Sequence, residues 1–231
     1  MGLAMISCWS KSNFSETLKI VAIDSNKKIR DSIKKKFKKV SILEKLPENW
    51  TGEFLVLAVK PQSFSPIAKE MLKRNIQTKI IISIMAGIKI KTISASLKIK
   101  TEIIRVMPNL ASELGLGVNC LYHNKNINHR YLKNIKKLLK ELGSVYVVKN
   151  EKLIDAVTAI SGSGPAYFFL FFLVFESIAK EIGFNKEEAR NLIIDTALGS
   201  LELVKHEVNI RALINSVKSK GGTTEAALKV L

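Results

Sequence analysis

The sequence predicts an α/β fold class: a domain on a mostly parallel sheet, then an all-helical domain. Three observations carry this. Residues 18–150 alternate short β-branched runs with charged amphipathic stretches, the pattern left by strand–helix–strand crossovers. Beyond residue 150 the strand pattern stops and the chain reads as helices. The length of 231 residues suits one large or two small domains, and 47% hydrophobic residues supply a core. The predicted division is 1–150 and 151–231.

The strand candidates are LKIVAID (18–24), FLVLAVK (54–60), KIIISI (79–84), TEIIRVM (101–107) and SVYVV (144–148). Between them lie helical stretches such as NKKIRDSIKKKFKKV and NINHRYLKNIKKLLKELG. In the second, Tyr131, Ile135, Leu138, Leu139 and Leu142 recur at helical spacing. In the helical half, NEKLIDAVTAISGSG reads as a helix that ends in glycines. The next helix starts with Pro165 in its first turn and stops at Gly183. A further helix opens on Asn185 with Glu188 three residues on, the pattern of a capping box.

The stretch SGSGPAYFFLFF (161–172) admits several readings. A nucleophile elbow needs glycine two residues before the serine, and Ser161 stands there before Ser163. A phosphate loop needs a preceding strand and a Gly-Lys-Ser/Thr ending, and has neither. The apolar run from Ala166 to Phe175 is shorter than the roughly 20 residues of a membrane span. What remains is a break between two helices, with glycines that let their backbones approach. Phe168, Phe169, Phe171, Phe172 and Phe175 lie all round the second helix. One small bundle cannot cover every face, so a homodimer core is expected.

The net charge is +17. The basic residues are mostly scattered lysines; the arginines are Arg30, Arg74, Arg105, Arg130, Arg190 and Arg211. Forked contacts to phosphates and bases need arginine, so a solvated lysine surface is expected rather than a specific nucleic-acid site. Cys8 and Cys120 make no disulfide framework. His123, His129 and His206 lack metal-ligand spacing, so no metal is expected. Residues 1–17 lack the basic start and long apolar centre of a signal peptide. Together these point to a cytoplasmic protein.

Candidate binding residues sit at turns. Gly2, followed by an apolar helical run, looks like the tail of a dinucleotide fingerprint, with its strand and first glycines absent. Asp24 closes the next strand about 20 residues on, where a ribose-binding acid belongs. LAVKPQ (57–62), SIMAG (83–87) and RVMPN (105–109) end three strands in small or proline-containing turns, where open α/β sheets bind ligands. Ordinary turns would read the same way. Gly221-Gly222 then opens a turn into Thr223-Thr224, a site for a carboxylate or phosphate, or a plain threonine cap.

Taken in order, MGLAMI, LAVKPQ, SIMAGI, IRVMPN, DAVTAISGSGPAYFF and KSKGGTTEAAL resemble pyrroline-5-carboxylate reductase across essentially the whole chain. The resemblance implies a Rossmann-like domain, its first strand missing here, that binds NADPH or NADH. It also implies a helical domain that interlocks with a second subunit, in a dimer or a higher oligomer. The implied reaction is reduction of 1-pyrroline-5-carboxylate to L-proline. By resemblance Gly2, Ala58, Val59, Lys60, Pro61, Met85 and Ala86 line the cofactor site. Asp24 and Ser25 lie near its ribose, and Glu151 reaches it from the domain junction. Ser219, Gly222, Thr223 and Thr224 form the substrate pocket, with Thr224 holding the imine nitrogen. Leu110-Ala111 and Lys220 depart from the family pattern, which has Thr-Pro and proline there. The alternative expectation is a catalytically incomplete remnant that keeps only the dimerising helices.

Overall fold

The computed structural model describes residues 1–12, 16–124 and 126–230. By its contacts the chain forms two compact units, Met1–Pro165 and Ala166–Leu231.

The first unit opens with α1 (Gly2–Lys11), β1 (Val21–Ile23), α2 (Lys27–Lys36) and β2 (Ser41–Leu43). It continues through β3 (Thr51–Leu57), α3 (Phe64–Lys73), β4 (Gln77–Ser83), α4 (Ile90–Leu97) and β5 (Glu102–Met107). Then come β6 (Gly117–His123), α5 (His129–Lys140), β7 (Gly143–Val147) and α6 (Lys152–Val157). The main sheet has the order β3-β4-β5-β6-β7, and β1-β2 form a separate parallel pair. All pairings are parallel except β5 with β6.

Side chains of β4 alternate between two cores, as the two-residue period of a strand requires. Ile80 and Ile82 face α1 and α5, joining Met5, Trp9, Ile135 and Leu139. Ile81 faces α3 and α4, joining Phe64, Met71, Ile93 and Leu97. Three consecutive isoleucines are thus fully buried, as expected for a strand covered on both faces. The indole Nε1 of Trp9 donates to the Leu138 carbonyl at 2.9 Å and ties α1 to α5. Leu18 and Ile20 before β1, and Phe54 and Val56 of β3, pack on that same core. The two sheets therefore share a core without sharing a hydrogen-bond ladder.

Two strands escaped the sequence reading, β2 and the antiparallel β6. The predicted helix break at the glycines of 161–164 is also corrected. Thr158–Gly162 is a π-helical turn in which the Ser163 N–H reaches the Thr158 carbonyl at 2.8 Å. Backbone bonding therefore runs on from α6 towards α7 (Gly164–Glu181). A Cβ on Gly162 would make only ordinary contacts, 3.4 Å from the Thr158 methyl and 3.7 Å from the Met107 sulfur at the end of β5.

The second unit holds the rest of α7, then α8 (Lys186–His206), α9 (Ile210–Val217) and α10 (Thr223–Leu228). The Asn185–Glu188 capping box forms as predicted, with both reciprocal bonds present. Among the described residues of this unit only Ala189 is buried. Phe168, Phe171, Phe175, Leu198 and Leu201 are all more than half exposed. The helical stretch 152–181 is long and apolar enough to cross a membrane by length and composition. Counting the apolar run alone therefore does not separate a membrane span from a subunit interface.

Candidate cofactor and substrate sites

The parallel register brings three strand ends to one edge of the main sheet. Leu57 lies opposite Ser83, and Ser83 opposite Arg105. Beyond these residues the chain turns away in three segments. After β3, Ala58, Val59 and Lys60 lead to Pro61, which opens a short 3-10 turn. After β4, Ile84 donates its N–H to the Leu57 carbonyl at 3.2 Å. The Met85 N–H reaches the Ser83 hydroxyl at 3.4 Å, and Gly87 takes a positive φ of 72°. After β5 come Met107 and the buried Asn109, whose carboxamide accepts from the Val118 N–H at 3.1 Å.

Gly2 starts α1 beside this edge: a Cβ on it would lie 3.4 Å from the Ala58 methyl. Structure thus brings together Gly2, Ala58, Val59, Lys60 and Pro61, and next to them Met85 and Ala86. Met85 is buried under the edge, while Ala58, Ala86 and Gly87 are exposed. Small side chains over a buried methionine leave the backbone open to a flat ring, and α1 presents its first N–H groups nearby. That arrangement fits a dinucleotide.

Asp24 follows β1, its N–H bonded to the Leu43 carbonyl at 3.1 Å. One carboxylate oxygen accepts from the Asn26 N–H at 2.8 Å, which fixes the turn. The Arg30 guanidinium donates to the carbonyls of Asp24 and Ser25 and pairs with Glu44 at 3.3 Å. Glu151, at the head of α6, accepts from the Ile90 N–H at 2.7 Å and from Arg105 at 3.1 Å. An open groove beside it is lined by Ile90, Lys91, Ser94, Ala95 and Asn124.

The substrate candidates occupy the second unit. Gly221 takes a φ of +72°, which favours glycine. Its N–H donates to the Glu225 carboxylate at 2.8 Å. A Cβ on Gly222 would strike the Ser219 hydroxyl at 2.4 Å, so this turn admits only glycine without rearrangement. Ser219, Gly222, Thr223 and Thr224 are therefore neighbours, with Thr223 and Thr224 opening α10. Lys218 lies 3.7 Å from Glu225, and Lys220 is exposed.

Burial of Cys120 raises its thiol above the ordinary value, partly offset by a hydrogen bond with Ser161. Among the described residues no cluster of His, Cys, Asp and Glu could hold a metal ion.

Two family models match this chain, with bounds that differ from those of the two compact units. Residues 151–231 match the family described as pyrroline-5-carboxylate reductase dimerisation. Residues 1–87 match one described as NADP oxidoreductase, coenzyme F420-dependent. A pyrroline-5-carboxylate reductase of Aquifex aeolicus is 34% identical over 233 aligned residues, covering all of this chain and 85% of the relative. One from Vibrio alginolyticus is 37% identical over 180 residues, 77% of this chain and 66% of the relative. The matched segment thus spans about two thirds of such relatives.

Among solved structures, a Plasmodium falciparum pyrroline carboxylate reductase with NADP bound superposes at a TM-score of 0.84 and 27% identity. It covers all of this chain and 85% of its own. A Coxiella burnetii pyrroline-5-carboxylate reductase superposes at 0.81, also at 27% identity, over 99% of this chain and 85% of its own. These matches explain the exposed apolar helices as a homo-oligomer interface. The chain belongs to the pyrroline-5-carboxylate reductase family.

Proposed function

We propose that this protein reduces 1-pyrroline-5-carboxylate to L-proline with NADPH or NADH, the last step of proline biosynthesis. It does so in the cytoplasm as a homodimer or a higher homo-oligomer, without membrane or specific nucleic-acid partners. Residues 1–150 bind the nicotinamide cofactor; residues 151–231 dimerise and bind the substrate. The observation that carries this reading is the match to the Aquifex reductase along the whole chain. The strand-end geometry supports it.

When bound, the cofactor supplies the hydride. Gly2 and the first N–H groups of α1 would hold its diphosphate. Ala58 to Pro61, Met85 and Ala86 would line the nicotinamide side, and Asp24 and Ser25 would serve the adenosine ribose. In the second unit the N–H groups of residues 222–224 hold the substrate carboxylate, and the Thr224 hydroxyl bonds the ring nitrogen. A cyclic imine nitrogen is basic enough to arrive protonated. Hydride addition at carbon then breaks the C=N π bond and leaves its electron pair on nitrogen. No protein acid has to give up a proton. The rate enhancement comes from placing the reactants, an effect that can reach about 7–11 kcal/mol.

The test is oxidation of NAD(P)H by the purified protein, dependent on added 1-pyrroline-5-carboxylate. Turnover is expected. A well-folded oligomer that binds neither cofactor nor substrate would overturn the proposal in favour of a structural remnant.

A further inference from the structure

Strand β5 carries one charge into the core. Arg105 is 1% exposed and lies between Ile104 and Val106, both buried. Its guanidinium spans one turn of α6: one nitrogen donates to Glu151 at 3.1 Å, the other to Asp155 at 2.8 Å. The remaining nitrogen, Nε, finds no acceptor among the described residues. A buried guanidinium with an unpaired donor is costly to keep. The two carboxylates it holds are not equivalent.

Asp155 is the more exposed of the two, its side chain 40% accessible against 24% for Glu151. Glu151 uses the same oxygen to accept from the Ile90 N–H at 2.7 Å. Helix α4 has no cap of its own: Lys89 provides no side-chain bond, and its first turn holds no acidic residue. A carboxylate from a residue 61 positions away supplies both the missing cap and the negative charge that a helix N-terminus favours. The segment between β4 and α4 carries Met85 and Ala86 at the strand edge. Its incoming end is fixed by the Ile84–Leu57 bond, and its outgoing end by Glu151.

We propose that Arg105 and Glu151 are positioning residues for the segment 84–90. Arg105 holds Glu151, and Glu151 holds the Ile90 amide. The segment presenting Met85 and Ala86 is thereby set at its working height above the sheet edge. The consequence for cofactor binding rests on the reductase reading; the consequence for the segment does not.

Glu151→Ala and Asp155→Ala form a matched test. Each removes one carboxylate from Arg105, and only the first uncaps α4. Hydrogen exchange on the full-length protein is expected to accelerate at residues 88–92 in Glu151→Ala and to stay unchanged there in Asp155→Ala. The NADPH dissociation constant, read by nicotinamide fluorescence, rises about tenfold in Glu151→Ala and little in Asp155→Ala. Glu151→Gln, which keeps an acceptor for Ile90, recovers most of that loss. Equal exchange and equal affinity in the two alanine variants would overturn the proposal and leave a plain structural ion pair. If the unaltered protein bound no NADPH, the reductase reading would fail, and the exchange comparison alone would still decide the clamp. Arg105→Met adds a third arm: it should resemble Glu151→Ala in exchange at residues 88–92 wherever it folds.

Discussion

The two units handle the same hydrophobic material in opposite ways. In the first, Ile80, Ile81, Ile82 and Ile104 are at most 1% exposed, enclosed by the unit's own helices. In the second, Phe168 and Leu198 are each 60% exposed, and α7 shows aromatic residues on every face. Burying such a side chain contributes about 1.5–3 kcal/mol. The first unit collects that within a single chain. The second leaves it for another copy to cover, which is what its match to a dimerisation family implies. Stability of the first unit should therefore be a property of the chain, and stability of the second a property of its concentration.

A charge at the centre of the exposed face is the strongest way to break this contrast. Phe171→Asp should abolish oligomerisation, because the interface would have to bury an unpaired carboxylate. Sedimentation velocity reads the outcome as a shift to monomer or aggregate, with loss of reductase activity. An unaltered protein that is already a monodisperse, fully helical monomer at micromolar concentration would refute the contrast itself. Truncations sharpen it further. Ile81→Ala should cost about 2–5 kcal/mol through the cavity it leaves, the same at every protein concentration. Phe171→Ala should cost a comparable amount in the association step, so its oligomer dissociates at a higher protein concentration. Thermal melts over a hundredfold dilution series distinguish the two.

Chemistry should divide as the cores do. Thr224→Val keeps the size and branching of the side chain and removes the hydroxyl. Turnover is expected to fall by about 10²-fold, the scale of losing one hydrogen bond to a reacting centre. NADPH affinity, which the proposal assigns to the other unit, should not change. A fall in NADPH affinity together with turnover would mean that Thr224 supports the fold rather than the imine. Thr224→Ser should restore most of the rate.

Much of the first unit was legible because its elements obey simple periods. The runs at 79–84 and 101–107 became β4 and β5, and the leucine pattern of 131–142 became the buried face of α5. Strand ends were legible because Pro61, Gly87 and Pro108 punctuate them. β6 was not, since GVNCLYH contains Asn119 and no alternation of polar and apolar residues. Asn119 is nonetheless fully buried, its amide donating to the Leu139 and Ser144 carbonyls. Such compensation is tertiary and leaves no local mark. The π turn was hidden for a related reason: Ser161 and Gly162 read as a stop, yet the Ser161 hydroxyl bonds the Val157 carbonyl at 3.2 Å within the turn. Arg105 and its carboxylates lie 46 and 50 positions apart, beyond any sequence period. Motif reading named Glu151, but not its bond to Ile90.

The smallest effect concerns which nicotinamide the first unit prefers. Asp24 places a carboxylate at the end of β1, where a ribose 2′ position is expected, and a carboxylate repels a 2′-phosphate. Nearby cations could offset it, but Arg30 is engaged with the carbonyls of Asp24 and Ser25 and with Glu44. Lys27 and Lys28 are exposed at the start of α2 and remain the closest candidates in sequence. Asp24→Asn removes the charge while keeping an oxygen that can accept from the Asn26 N–H, so the turn should survive. The ratio of kcat/KM for NADPH over NADH is then expected to rise about fivefold, the scale of one like-charge contact at about 4 Å in a water-like dielectric. The gain should shrink as salt is added, because exposed charges are screened. A ratio that stays fixed at low salt would place the 2′ position away from Asp24. A ratio that rises equally at all salt concentrations would point to lost packing in the turn instead of lost repulsion.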